Sequence, residues 1–131
     1  MDLKNQIQNR EIKFRGYSEE LKSFVYGFYQ EVDVEGIGYS YIFWQGNVTP
    51  VRADSVAQFI GLKDQNGEEV YEWDVLELNN CGLLIVCFYK GEFKLQKLAE
   101  YHKKRNLYAS ISYLEFSVLR GNIYENPNLL Q

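Results

Sequence analysis

Five carboxylates fall close together in this chain: Asp64, Glu68, Glu69, Glu72 and Asp74. Oxygen ligands at that density can hold Mg²⁺ or Ca²⁺, and paired carboxylates can act as acid and base in a hydrolysis. The spacing lacks the ligand rhythm of a calcium loop, however, and an Asp just before Asn66-Gly67 is ordinary turn chemistry. His102 is the single histidine, so any Ser-His or Cys-His mechanism would have to use it. It lies in Tyr101-His102-Lys103-Lys104-Arg105, which reads as solvated. The same run supplies the best nucleic-acid candidates. Lys103, Lys104 and Arg105 can neutralise phosphates while Tyr101 and Tyr108 stack on bases. Three adjacent bases in a chain of net charge −4 make a weak footprint, and a solvated loop accounts for them better. Lys13, Arg15 and Lys22 form a sparser basic set.

Cys81 and Cys87 are too close along an extended segment for a disulfide, since a strand rises ~3.3 Å per residue and bridged Cα atoms sit within about 7 Å. Nor is their spacing that of a zinc pair, so both read as free thiols in a reducing compartment. No G-x-G-x-x-G or G-K-[ST] phosphate loop is present, and Gly36-Ile37-Gly38 follows Glu35, which would repel a phosphate. The residues therefore assign no catalytic group, no cofactor and no metal. They point to a non-enzymatic protein.

Length and composition bound the elements that must carry these groups. At 131 residues, with 46% hydrophobic and 16% aromatic content, the chain is expected to form one folded domain over residues 1–131. Eleven Tyr and eight Phe against one Met suit pleated sheets, where aromatics pack well. No apolar run approaches the ~20 residues of a membrane span, and the polar start MDLKNQIQNR is no signal peptide, so a cytoplasmic location is expected. Residues 1–75 hold 13 acids and 7 bases (net −6) and residues 76–131 hold 5 acids and 7 bases (net +2). That asymmetry can polarise one face toward a partner or be an ordinary mixed surface.

The pattern along the chain predicts mainly β structure: a single compact domain of about eight short strands, barrel- or sandwich-like, with little helix. Residues 1–9 read as flexible or a short helix. Residues 12–17 alternate as a strand with Ile12 and Phe14 inward and Lys13 and Arg15 outward. Further strands are expected at 24–29, 39–44, 48–51 and 56–60, with an acidic loop at 31–38. Asn66-Gly67 marks a tight hairpin between residues 62 and 70, both residues tolerating positive φ. Residues 73–98 read as a three-strand meander with turns at 79–82 and 90–91, its middle strand (83–89) apolar throughout and hence covered on both faces. Residues 99–109 are polar and basic, a short helix or a loop. Residues 112–122 read as a strand stopped by Pro127, with one helical turn allowed beyond it. The expected core is Leu83, Ile85, Phe88, Phe93, Leu114, Phe116, Val118 and Ile123.

Three blocks carry a family resemblance. IKFRGYS at 12–18, VAQFIGLKDQNGEEVYEWDVLEL at 56–78 and VLRGNIYENPNLL at 118–130 resemble, in order, the signature blocks of the YopX family of small phage and prophage proteins. The blocks cover most of residues 10–130, and the run GLKD-x-NG-x-E-x-Y-E followed by GNIYENP is specific. The family usually has Gly between the Glu and Asp of its Tyr-Glu-Gly-Asp element, where this chain has Trp73. A Gly there would suggest a bulge or a positive φ. The resemblance implies a fold and a phage or prophage context, and it brings no mechanism with it.

Together these readings describe a phage or prophage accessory protein, a binding or self-assembling β module acting on a phage or host macromolecule in the bacterial cytoplasm, with no role at a membrane. A small β-barrel that binds nucleic acid through residues 103–105, in phage replication or transcription control, is the other class in view. Trp44, Trp73 and the many tyrosines can line a groove or a subunit interface, or serve as packing. The strand 39–44 carries no charged residue, so nothing in it would blunt a sheet edge. It must be central or covered, and a homo-oligomer using this strand or the 31–38 segment is expected.

Overall fold

At Gly36, Gly46 and Gly91, each at positive φ, the chain reverses tightly between neighbouring strands. The computed structural model describes residues 11–105 and 107–130; the expectation for residues 1–9 lies outside them. Six strands form a first antiparallel sheet: β1 (Phe14–Ser18), β2 (Ser23–Val34), β3 (Ile37–Trp44), β4 (Asn47–Val51), β5 (Ala57–Lys63) and β6 (Glu69–Tyr71), in the order β4-β3-β2-β1-β5-β6. Five form a second: β7 (Asp74–Leu78), β8 (Gly82–Tyr89), β9 (Glu92–Lys97), β10 (Ala109–Ser110) and β11 (Ser117–Asn122), in the order β10-β9-β8-β7-β11. A short helix, α1 (Leu98–His102), follows β9. The architecture is mainly β and sandwich-like, with no closed barrel.

The acidic segment at 31–38, expected as a loop, is instead the far half of the β2–β3 hairpin. Val34 pairs with Ile37, leaving Glu35-Gly36 as a two-residue connection. Both take positive φ (+52° and +84°), the geometry that matches strand twist, and the Asp33 carboxylate accepts from the Gly36 N–H at 2.9 Å. Asn66-Gly67 does something different. Lys63 pairs with Glu69, so the loop has five residues and only Gly67 of the pair takes positive φ (+81°). Here the Asp64 carboxylate organises the turn, accepting from Asn66 and Glu68 N–H groups at 2.9 and 2.8 Å.

In the second sheet β8 is central, as its apolar run requires. Leu84 and Val86 point into one cluster with Val70, Leu76, Leu95 and Leu114, and Ile85 and Cys87 into another with Val75 and Leu98. Residues 112–122 divide: a 3-10 segment, Ile111–Phe116, precedes β11. The turn of that segment buries Leu114 and leaves Phe116 67% exposed, so Phe116 is not core. Phe88 is also exposed, because it stands at the outer end of β8 with its ring edge on Phe93. Ile85 and Leu114 are fully buried, and Leu83, Phe93 and Ile123 pack at the rim of the two clusters. Val118 is half-buried.

Candidate functional site

The two sheets meet where the chain leaves β6 and enters β7. Asp74, the first residue of β7, is 1% exposed and faces Arg15 of β1, which is 6% exposed. One guanidinium nitrogen lies 2.8 Å from Asp74 Oδ1, and Oδ2 accepts from the Tyr71 N–H at 2.8 Å. The Arg15 guanidinium is sandwiched between the rings of Phe24 (4.5 Å) and Tyr71 (5.0 Å). Arg15 was expected outward and Ile12 inward. The reverse holds, because β1 lies between β2 and β5 and its Arg15 face is closed by the second sheet, while Ile12 precedes the strand and stays exposed. Burial pushes the Asp74 carboxyl up to about 6, with Arg15 and the Tyr71 N–H acting in the opposite direction.

Between these residues stands Trp73, with φ of +71°. Its N–H donates to the Val86 carbonyl at 3.0 Å and its carbonyl accepts from the Ile123 N–H at 3.2 Å, so both peptide groups are held by the second sheet. The left-handed geometry that glycine would take there is therefore kept, with an indole packed against the clusters around Val75 and around Tyr71. A groove of about 320 Å³ opens beside it, lined by Arg15, Phe24, Trp73, Tyr101, Asn122 and Tyr124.

The five carboxylates that opened the sequence argument do not converge. Asp64 is buried, its Oδ1 on the turn and its Oδ2 accepting from the Leu119 N–H of β11 at 2.8 Å, so it staples the β5–β6 loop to the second sheet. Asp74 belongs to Arg15, and Glu69 pairs with Lys13 at 2.7 Å, raising the lysine's pKa. Burial raises the pKa of Glu72. Among the described residues no three His, Cys, Asp or Glu side chains are grouped to hold a metal ion. Cys81 is exposed and Cys87 buried; both are free, and burial pushes the Cys87 thiol up to about 11.

Lys103, Lys104 and Arg105 follow α1 on the surface, with His102 exposed beside them. Arg105 lies 3.6 Å from Glu100, which offsets part of the basic charge. Lys104 and Arg105 nevertheless share a groove of about 250 Å³ with Trp73, Phe88, Tyr101 and Tyr108, the last stacked on Tyr89 at 4.4 Å. Lys103 is not on it. The other basic set is dispersed, since Arg15 is buried and Lys13 is paired.

The uncharged strand 39–44, expected to be central or covered, is internal to the sheet as β3, yet one of its faces lies open. In the β2–β3–β4 region, register places Phe28 opposite Phe43, Val32 opposite Tyr39, Val34 opposite Ile37, and Val48 opposite Phe43 on one face. Phe28 (59%), Val34 (52%), Ile37 (57%) and Val48 (54%) are exposed on it, and Gln30 is its main polar side chain. The opposite face turns inward at Ser40 and Ile42, and carries Glu31 and Asp33 at its outer end. A trace was present in the alternation of residues 28–34, where apolar Phe28, Val32 and Val34 share a parity apart from Glu31 and Asp33.

A two-sheet β module with a polar seam between its layers and an open apolar face is the class of protein these features define. The chain belongs to the YopX family, which is described as YopX protein and matches residues 13–131. The fold is similar to the crystal structure of protein EF1440 from Enterococcus faecalis, with a TM-score of 0.54 and 21% identity, covering 94% of this chain and 100% of that one. No curated protein matches the sequence. Among the described residues no helix is long and apolar enough to cross a membrane.

Proposed function

We propose that the protein is a non-enzymatic binding module of phage or prophage origin, and that the open face of β2, β3 and β4 is its binding surface. The observation that carries this reading is the contiguous apolar face on an otherwise well-packed domain. Monomeric soluble proteins rarely expose apolar patches beyond a few hundred Å², and larger ones mark interaction sites. The buried carboxylates support a structural rather than chemical role: Asp64 and Asp74 are engaged with backbone N–H groups and Arg15, which hold the two sheets together. The phage setting rests on the family, and a site of action in the bacterial cytoplasm goes with it. The test is in-cell cross-linking of the parent and of a Phe28→Lys/Ile37→Lys variant in a bacterial host. The parent should form a discrete adduct, with a copy of itself or with another macromolecule, that the variant loses. Identical adduct patterns, or none in the parent, refute the reading.

The groove of Lys104, Arg105 and four aromatic rings favours a second reading, a small β protein that binds single-stranded nucleic acid. Filter retention of an oligonucleotide at low salt, reduced by Lys104→Glu, supports it; no retention rejects it.

A further inference from the structure

Arg15 carries a donor that its partners do not use. One guanidinium nitrogen is bound to Asp74 Oδ1 at 2.8 Å, and the rings of Phe24 and Tyr71 flank the group. The Nε–H is buried too, yet it has no hydrogen-bond partner among the described residues. Buried donors are almost always satisfied, so an orphan on the wall of a groove marks where an incoming acceptor would sit. Arg15 lines the groove of about 320 Å³ beside Trp73, with Phe24, Tyr101, Asn122 and Tyr124. Other polar groups on that lining are already engaged. Asn122 Oδ1 accepts from the Tyr124 and Glu125 N–H groups, and its Nδ2 donates to Glu125. Ser55 Oγ donates to the Arg52 carbonyl and accepts from the Tyr17 N–H, and Asp54 is tied to Arg52 at 3.1 Å. The charge of Arg15 is met by Asp74, so this groove suits a neutral acceptor on a flat ring rather than an anion.

The groove of about 250 Å³ that holds Lys104 and Arg105 meets this one at Trp73 and Tyr101, which line both. Its character is different. No carboxylate is among the residues that line it, and Glu100, 3.6 Å from Arg105, is not on it. We infer that the two grooves form one nucleotide seat: the base lies among Trp73, Tyr101 and Tyr124 with a ring carbonyl accepting from the Arg15 Nε–H, and the phosphate lies at Lys104 and Arg105. The inference deepens the second reading above and rests on it for the phosphate end alone. Rings that stack on a base beside cations that meet its phosphate are the general form of single-strand recognition. Each groove by itself is at or below the lower end of the roughly 300–1,000 Å³ of small-ligand sites, and joined they fall within it. A free nucleotide and a nucleotide within a strand present the same chemistry to this seat.

Tryptophan emission of the full chain tests this, because Trp44 lines neither groove and Trp44→Phe leaves Trp73 as the only indole. Titration of that variant at low salt with uridine monophosphate, and separately with a short oligouridylate, should quench Trp73 with at least one of the two. Ribose phosphate, which lacks the base, should bind at least about tenfold more weakly than the monophosphate. Tyr124→Ser should weaken the bound nucleotide about tenfold, and Lys104→Glu at least about threefold, with an unchanged far-ultraviolet β spectrum. If Tyr124→Ser fails to fold, the comparison with ribose phosphate decides on the unaltered grooves. Quenching by the monophosphate alone supports the seat and rejects a strand as its occupant; quenching by the strand alone supports both. Oligouridylate that binds through Lys104 but leaves Trp73 emission unchanged and ignores Tyr124→Ser overturns the base seat and spares the second reading. Binding of ribose phosphate as tight as that of the monophosphate overturns the seat, and no binding of either nucleotide ligand overturns the seat and the second reading together.

Discussion

The second sheet and the outer half of the first are built from similar residues and differ in what lies over them. β8 has a cluster on each face, so every apolar side chain from Leu84 to Cys87 is buried. β3, equally apolar and equally flanked by two strands, buries Ile42 and Ser40 on one face while Ile37 and Tyr39 on the other are open. Hydrogen-bonded neighbours satisfy the backbone of both strands, and only the layers above and below separate core from surface. Stability should therefore concentrate in the second sheet and the seam, and binding in the outer first sheet.

The sharpest way to break that contrast is at the seam. Arg15→Ala leaves the Asp74 carboxylate buried without its partner and should cost about 3–5 kcal/mol in denaturant unfolding; a loss below about 1 kcal/mol would mean the seam does not hold the sheets. Its pH dependence has a defined sign. Because burial raises Asp74 from 3.8 to about 6, its contribution is fully present below about pH 4 and is lost as pH rises through about 6. The stability advantage of the parent over Asp74→Asn should thus narrow across that window, and a widening gap would reverse the assignment.

Next in size is a pair within one 3-10 segment. Leu114→Ala should cost about 2–5 kcal/mol, and Phe116→Ala, two positions on and exposed, under about 1 kcal/mol. Equal costs in a melting experiment would show that something covers Phe116. Smaller again is the backbone at Trp73. Trp73→Gly and Trp73→Ala both lose the indole, but only glycine relieves the left-handed conformation, so the Gly variant should be more stable than the Ala variant by about 1 kcal/mol. Gly67→Val should cost about 1 kcal/mol for the same reason, since the site is open and only φ opposes the side chain. The least effect is expected at Ile37→Thr, within about 0.5 kcal/mol of the parent for the fold in dilute solution, where a cost like that of Leu114→Ala would place the outer face in a core.

Local chemistry was readable wherever the nearest residues decided it. Gln45-Gly46 and Lys90-Gly91 turn where a glycine admits positive φ, with both members of each pair in that region, and the central position of β8 follows from an unbroken apolar run. The blocks from 56 to 78 and 118 to 130 led to the family and to the question posed by Trp73. Reading failed where a residue's surroundings come from distant chain. Alternation at residues 12–17 cannot say that Asp74 waits opposite Arg15. Nor can it distinguish Leu114 from Phe116, whose parity agrees in a strand but not in a 3-10 turn. The acidic residues at 31–38 read as a loop because their charge hid the alternation of Val32 and Val34.

What the sequence determined by itself is most of the strands and the glycine turns between them, because φ preferences and two-residue periodicity act within a few residues. Which face of each strand meets another layer was decided only by tertiary structure. That choice turns on contacts between residues some sixty apart, such as Arg15 with Asp74 and Asp64 with Leu119. The β2–β3–β4 face lies away from those contacts and stays open, and no local preference encodes which face is covered.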